Sequence, residues 1–168
     1  MHNFEELVSR STYFALQSIE KLHVEVSKEL NKSGSTAAVK NLQMIQLHKV
    51  IVATGMFSIF EASLQERLDS NNGFKKAKEM LLQAGESELY NRFEDYICAI
   101  NVLKHGRGSS YNFLIKKFDS LPFRIKLPDE NFFFEGDVSE VSTLIEVTDE
   151  FVLACAELIE QISAVIGR

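Results

Sequence analysis

Apolar residues recur at three- and four-residue spacing through most of the chain, and Gly, Asn, Ser and Pro punctuate the pattern, so it predicts helices joined by short turns. Asn3, with Glu6 three positions on, reads as a cap that opens a first long helix carrying Phe4, Leu7, Val8, Phe14, Leu22, Val26 and Leu30. Asn31 to Ser35 is a turn, Thr36 is the expected cap of a second helix, and Val39, Leu42, Ile45, Val52, Phe57, Phe60, Leu64 and Leu68 carry its stripe to about Ser70. The middle of this helix is apolar on nearly every side, which predicts a central element packed against several neighbours. Asn71-Asn72-Gly73 is expected to end it through a left-handed cap.

A short helix is expected over Phe74–Gln83, and Gly85 separates it from another that starts at Ser87, carries Tyr90, Phe93, Ile97, Ile100 and Leu103 or Lys104 on one stripe, and ends at Gly106. Tyr111 to Phe118 has room for one or two helical turns. Pro122 and Pro128 forbid a long helix beyond them, so an irregular excursion is expected at about 119–147. Alternation in Phe123–Leu127 and Thr143–Val147 leaves room for two short strands there. Thr148-Asp-Glu opens the last helix, with Phe151, Cys155, Leu158 and Ile162 on one face. The expectation is a single all-α domain over residues 1–168, an up-and-down helical bundle with the irregular excursion inserted before its last helix.

Composition narrows the function classes. With 18 Lys plus Arg against 24 Asp plus Glu the net charge is −6, which argues against a large nucleic-acid-binding face. A hydrophobic content of 45% with only 2 Pro excludes collagen-like and disordered chains. The 2 cysteines, Cys98 and Cys155, make no CxxC pair and suggest neither a disulfide framework nor a zinc site. Acidic Glu5 and Glu6 stand where a secretory leader would be basic. The most apolar stretch, Val50–Leu64, is interrupted by Thr54, Gly55, Ser58 and Glu61 and is shorter than a membrane span of roughly 20 residues. A cytoplasmic protein without membrane association is expected.

Chemistry concentrates on the helix that ends at Gly106. Glu94, Cys98, Asn101 and His105 lie four, three and four residues apart and share one helical stripe. Histidine titrates near neutrality, so His105 beside the glycine-bearing loop is a candidate general acid or base; a solvated helix edge would show the same pattern. Cys98 is expected to be a structural thiol. Glu61, set among apolar residues, calls for a cationic partner such as Lys104, His105 or Arg67. Lys75, Lys76 and Lys78 read as a solvated face. Lys116 and Lys117 beside Tyr111 and Phe113 read as packing, Gly106-Arg-Gly-Ser-Ser as a helix cap and turn, and Phe132-Phe133-Phe134 as a plug for the core.

The segment Ile100-Asn101-Val-Leu-Lys104-His105-Gly106 resembles a degenerate form of the Arg-Asn-x-x-x-His signature of HEPN domains (higher eukaryotes and prokaryotes nucleotide-binding). The match is close over about seven residues and extends loosely to the helical arrangement over about 140 residues. The resemblance implies a homodimer in which the motifs of two protomers face each other, and a metal-independent ribonuclease of bacterial defence or toxin–antitoxin systems. Asn101 and His105 match the family's Asn and His. Ile100 stands at the arginine position and cannot stabilise a phosphate, so Lys104 or Arg107 would have to replace the arginine, with Glu61 and Glu94 in support. No metal or organic cofactor is implied. Three readings stay open: an active ribonuclease using His105, a HEPN-like module that binds RNA or a protein partner, and an unrelated helical protein whose Asn101 and His105 merely finish a helix.

Overall fold

The computed structural model describes residues 4–167; the Asn3 cap lies outside them. It is an all-α bundle of α1 (Phe4–Ser33), α2 (Thr36–Arg67), α3 (Gly73–Gln83), α4 (Ser87–His105), the short α5 (Ser109–Ile115) and α6 (Asp149–Ile166). A single 3-10 turn, Phe118–Ser120, follows α5. The long excursion between that turn and α6 forms no strand; one antiparallel bridge, Ile125 to Ile145, is flanked by the bonds Lys126 N–H to Leu144 O (2.9 Å) and Glu146 N–H to Arg124 O (3.0 Å). The alternation in the sequence thus yields one rung, because neither segment has a further neighbour on which to build a sheet.

α2 is central and packs on α1, α3, α4 and α6. Its cap is Ser35 and not Thr36: the Ser35 hydroxyl accepts the Ala38 N–H at 3.2 Å, and Thr36 is already the first helical residue. The helix stops at Arg67, short of Ser70, and the left-handed residue beyond it is Asp69 (φ 45°). Asn72, expected in a C-terminal cap, instead caps the start of α3 by accepting the Lys75 N–H at 2.9 Å. Gly73 serves close approach. A β-carbon there would lie 2.7 Å from Leu64 Cβ and 2.8 Å from the Glu61 carbonyl oxygen.

This approach carries Phe74 to the centre of an aromatic cluster. Its ring lies 6.0 Å from Phe57, 6.3 Å from Phe60 and 5.3 Å from Phe93, the last edge-on. Phe4 stacks on Phe60 from α1. A second cluster of Tyr96, Phe123 and Phe151 ties α4, the excursion and α6 together. α6 matches its expected cap and face: the Thr148 hydroxyl accepts the Phe151 N–H, and Phe151, Cys155, Leu158 and Ile162 are buried.

α1 departs from its expected stripe. Its inward residues are Val8, Thr12, Leu16, Ile19 and Val26, whereas Leu7 is 50% and Phe14 is 74% exposed. At about 100° per residue, Phe14 falls on the far side of the helix from Leu16. Thr12 joins the core because its hydroxyl donates to the Val8 carbonyl at 2.8 Å.

The excursion is held by side chains. Lys126, which is buried, and Glu140, which is partly buried, form an ion pair within it. Glu140 also accepts the backbone N–H of Phe133 (2.9 Å) and Phe134 (3.3 Å), and Lys126 sits 4.5 Å from the centre of the Phe133 ring. The Tyr111 hydroxyl donates to the Lys126 carbonyl at 2.7 Å. Of the three phenylalanines expected as a plug, only Phe133 is buried; Phe132 and Phe134 are exposed. Burial alone would raise the Glu140 pKa, but its bonds to Lys126 and to the two amides outweigh it and hold the carboxyl below its ordinary value.

These contacts predict the effects of substitution and of pH. Gly73→Ala should lower stability by about 1–3 kcal/mol, because backbone atoms of α2 block the added carbon, whereas Gly55→Ala, which meets nothing within 4 Å, should raise it by about 0.5–1 kcal/mol; urea unfolding followed by circular dichroism measures both. Glu140 is depressed in the folded chain, so its contribution is complete above its unfolded pKa and fades as pH falls through the lower folded value. Amide exchange should show Phe133 and Phe134 losing protection on acidification before α6 does. Glu140→Gln, which leaves Lys126 buried without its anion, should cost about 3–5 kcal/mol at neutral pH.

Candidate functional site

α4 presents the expected stripe on its outer side, and the four residues have different surroundings. Glu94 is held by Lys78 at 3.1 Å, so one of the lysines read as a solvated face anchors α3 to α4. Cys98 is half-buried. Burial pushes its thiol above the ordinary value, and Glu94 and Asp95 add to that, against opposing effects of Ser110 and Lys78. Cys155 is fully buried, and burial pushes its thiol well up. Both cysteines are free thiols. His105 closes α4 as an exposed residue, and Gly106 (φ 73°) ends the helix with its N–H bonded to the Val102 carbonyl at 2.8 Å.

A groove of about 390 Å³ between α2, α3 and α4 collects three of the candidates: Glu61, Asn101 and Lys104. Asn72, Lys75 and Lys78 add polar groups to it, while Phe57, Phe74, Ile97 and Ile100 form apolar wall. Its chemistry suits a ligand that offers an acceptor or anion to Lys75 and Lys104 and an apolar surface to the wall. His105 does not line the groove. Arg107 turns away: its guanidinium lies 5.5 Å from the Tyr111 ring centre and donates to the Pro128 carbonyl at 3.4 Å.

Ile100 is 4% exposed and belongs to the core as well as to the groove wall. The position that corresponds to the motif arginine therefore contributes apolar packing. Glu61 is part-buried, and among the described residues it makes no ion pair with Lys104, His105 or Arg67. Arg67 pairs with Glu5 of α1 at 3.0 Å. Burial would raise the Glu5 pKa, but its own backbone N–H, Ser163 and Arg67 together lower it.

Several ionic residues that organise the surroundings were not singled out as such by sequence. Lys117 reaches Asp95 at 2.8 Å, across 22 positions of chain, and Lys49 reaches Asp149 at 2.7 Å, across 100. Asp95 could have been suspected from its place on the buried side of the α4 stripe; nothing local marks Lys49. The Lys49–Asp149 pair lies in a separate cavity of about 260 Å³ beneath the excursion, beside Glu140 and Glu146. Among the described residues no group of three or more His, Cys, Asp and Glu side chains is arranged to hold a metal ion.

No family model matches the chain, and no characterised protein or solved structure matches it either. The class that the fold defines is an all-α helical bundle with a mixed polar and apolar groove against its fourth helix.

Burial predicts the order of thiol reactivity. Alkylation by iodoacetamide at neutral pH, read by mass spectrometry, should modify Cys98 slowly and Cys155 more slowly still, and both should react faster once the chain is unfolded in urea.

Proposed function

We propose that this chain is a HEPN-like helical interaction module of the bacterial defence or toxin–antitoxin type, one that binds a partner without cleaving RNA. The observation that carries the reading is the burial of Ile100 in the core at the position of the motif arginine. Cleavage by attack of a 2′-hydroxyl needs a base and a fixed cation or donor for the charge that develops on the phosphate. His105 is exposed and has no side-chain partner among the described residues, and Arg107 is engaged with Pro128 and Tyr111. A module of this kind keeps the bundle and its groove and dispenses with the catalytic pair.

One observation favours the second reading, a metal-independent endoribonuclease using His105. Asn101 and Lys104 share the groove with Lys75, so two lysine ammonium groups accompany the motif asparagine. In that reading His105 acts as general acid or base one turn beyond Asn101, Asn101 orients the phosphate, and Lys104 supplies the charge of the missing arginine.

RNA cleavage by the purified chain in EDTA decides between them. The expected result is no cleavage above that of His105→Ala, with the wild-type chain shown to be folded by circular dichroism. Cleavage lost in His105→Ala and weakened at least tenfold in Lys104→Ala would establish the ribonuclease and end the interaction-module reading.

A further inference from the structure

The outer side of α2 is apolar where solvent-facing helix is ordinarily polar. Met44, Leu47, Ile51 and Ile59 are 50%, 48%, 59% and 60% exposed. Between Lys40 and Glu66 no exposed residue of α2 is a lysine, arginine, aspartate or glutamate; the others exposed there are His48, Ser58 and Ala62. By length and composition α2 is apolar enough to cross a membrane, yet only 33% of its most apolar window is buried by the rest of the bundle. α2 packs on several neighbours as expected, and this one face lies outside that packing.

We propose that this face is a self-association surface, covered by α2 of a second copy packed antiparallel to it about a two-fold axis. The axis lies at the level of residue 53. Such an axis sets Leu47 against the partner's Ile59, Ile51 against the partner's Gly55 and Met44 against the partner's Ala62, so that two of the three pairs set a large side chain against a small one. The open space around Gly55 accords with this: its own fold does not require glycine, since a β-carbon there meets nothing within 4 Å. Glycine in mid-helix is less favourable than alanine, and a close-packed partner side chain gives it a use.

Charge selects the orientation. Lys40 and Glu66 are both exposed, stand about 39 Å apart along the helix and make no ion pair within the chain among the described residues. Antiparallel packing brings Lys40 of each copy to Glu66 of the other at both ends of the seam. Parallel packing would set Lys40 against Lys40 and Glu66 against Glu66. The inference rests on α2 alone and does not depend on the HEPN-like reading; absence or presence of cleavage leaves it untouched.

Sedimentation velocity over a concentration series tests it. Wild type should dimerise in a range on the order of micromolar, as befits a single helix-on-helix contact. Ile51→Glu should be a folded monomer throughout. Lys40→Glu should weaken the dimer about tenfold by setting two like-charged pairs together, and adding Glu66→Lys should restore it. A wild-type chain that stays monomeric at every concentration overturns the proposal, as does a dimer indifferent to Ile51→Glu or a double charge reversal that does not recover. Cosedimentation of the monomer with phosphatidylcholine vesicles, abolished by Ile51→Glu, would assign the face to a lipid surface and overturn it as well.

Discussion

The approach of Gly73 to the backbone of α2 is the contact from which the rest of the bundle is laid out. Leu64, Glu61 and Gln65 leave no room for a side chain there, so the chain can turn back against α2 only with glycine at that point. The turn delivers Phe74 among Phe57, Phe60 and Phe93, and this aromatic cluster in turn sets the distance of α4 from α2. The groove that holds Glu61, Asn101 and Lys104 is the space left on the solvent side of the same packing. The polar groups of the groove thus sit on the same three helices whose spacing one glycine and the aromatic cluster fix.

The two halves of the structure are stabilised by different forces. The helices rely on apolar burial, which is non-directional and tolerates adjustment. The excursion before α6 has one bridge; it sets Ile125, Ile145 and Val147 into the core and adds directional bonds around the Lys126–Glu140 pair. An ion pair in such a place defines geometry more than it adds stability, since desolvation offsets much of the attraction. Here it sets the path of Phe133 and Phe134 over the cavity beside Lys49 and Asp149.

Elements whose stripe and cap agree were legible in the sequence. α6 shows this best, with Thr148 followed by Phe151, Cys155, Leu158 and Ile162, and the end of α4 at His105-Gly106 is equally clear. Legibility fails where two registers compete, as in α1, where Leu7 and Phe14 offered a plausible stripe and Thr12 hid the true one behind a polar side chain bonded to its own helix. It fails again for long-range ion pairs: Arg67 could have met Glu61, six positions before it, but pairs with Glu5 on another helix. For the candidate site, spacing grouped Asn101 with His105 on one stripe but could not tell that the groove takes Asn101 with Lys104 and omits His105, or that Arg107 faces Pro128. The burial of Ile100 was legible, because it follows Phe93 and Ile97 on the apolar stripe of α4.

α6 touches α1, α2, α3 and α4, although it follows all of them in the chain. Val152, Leu158, Ile159 and Ile162 close a seam whose other walls are made far earlier. On the ribosome, the first four helices emerge and begin to collapse while that seam is still open, and an open apolar seam is what chaperones recognise. Closure joins residues distant in sequence and carries a corresponding loop entropy. The irregular excursion is the tether across which this docking takes place, so its length enters the entropy of closure.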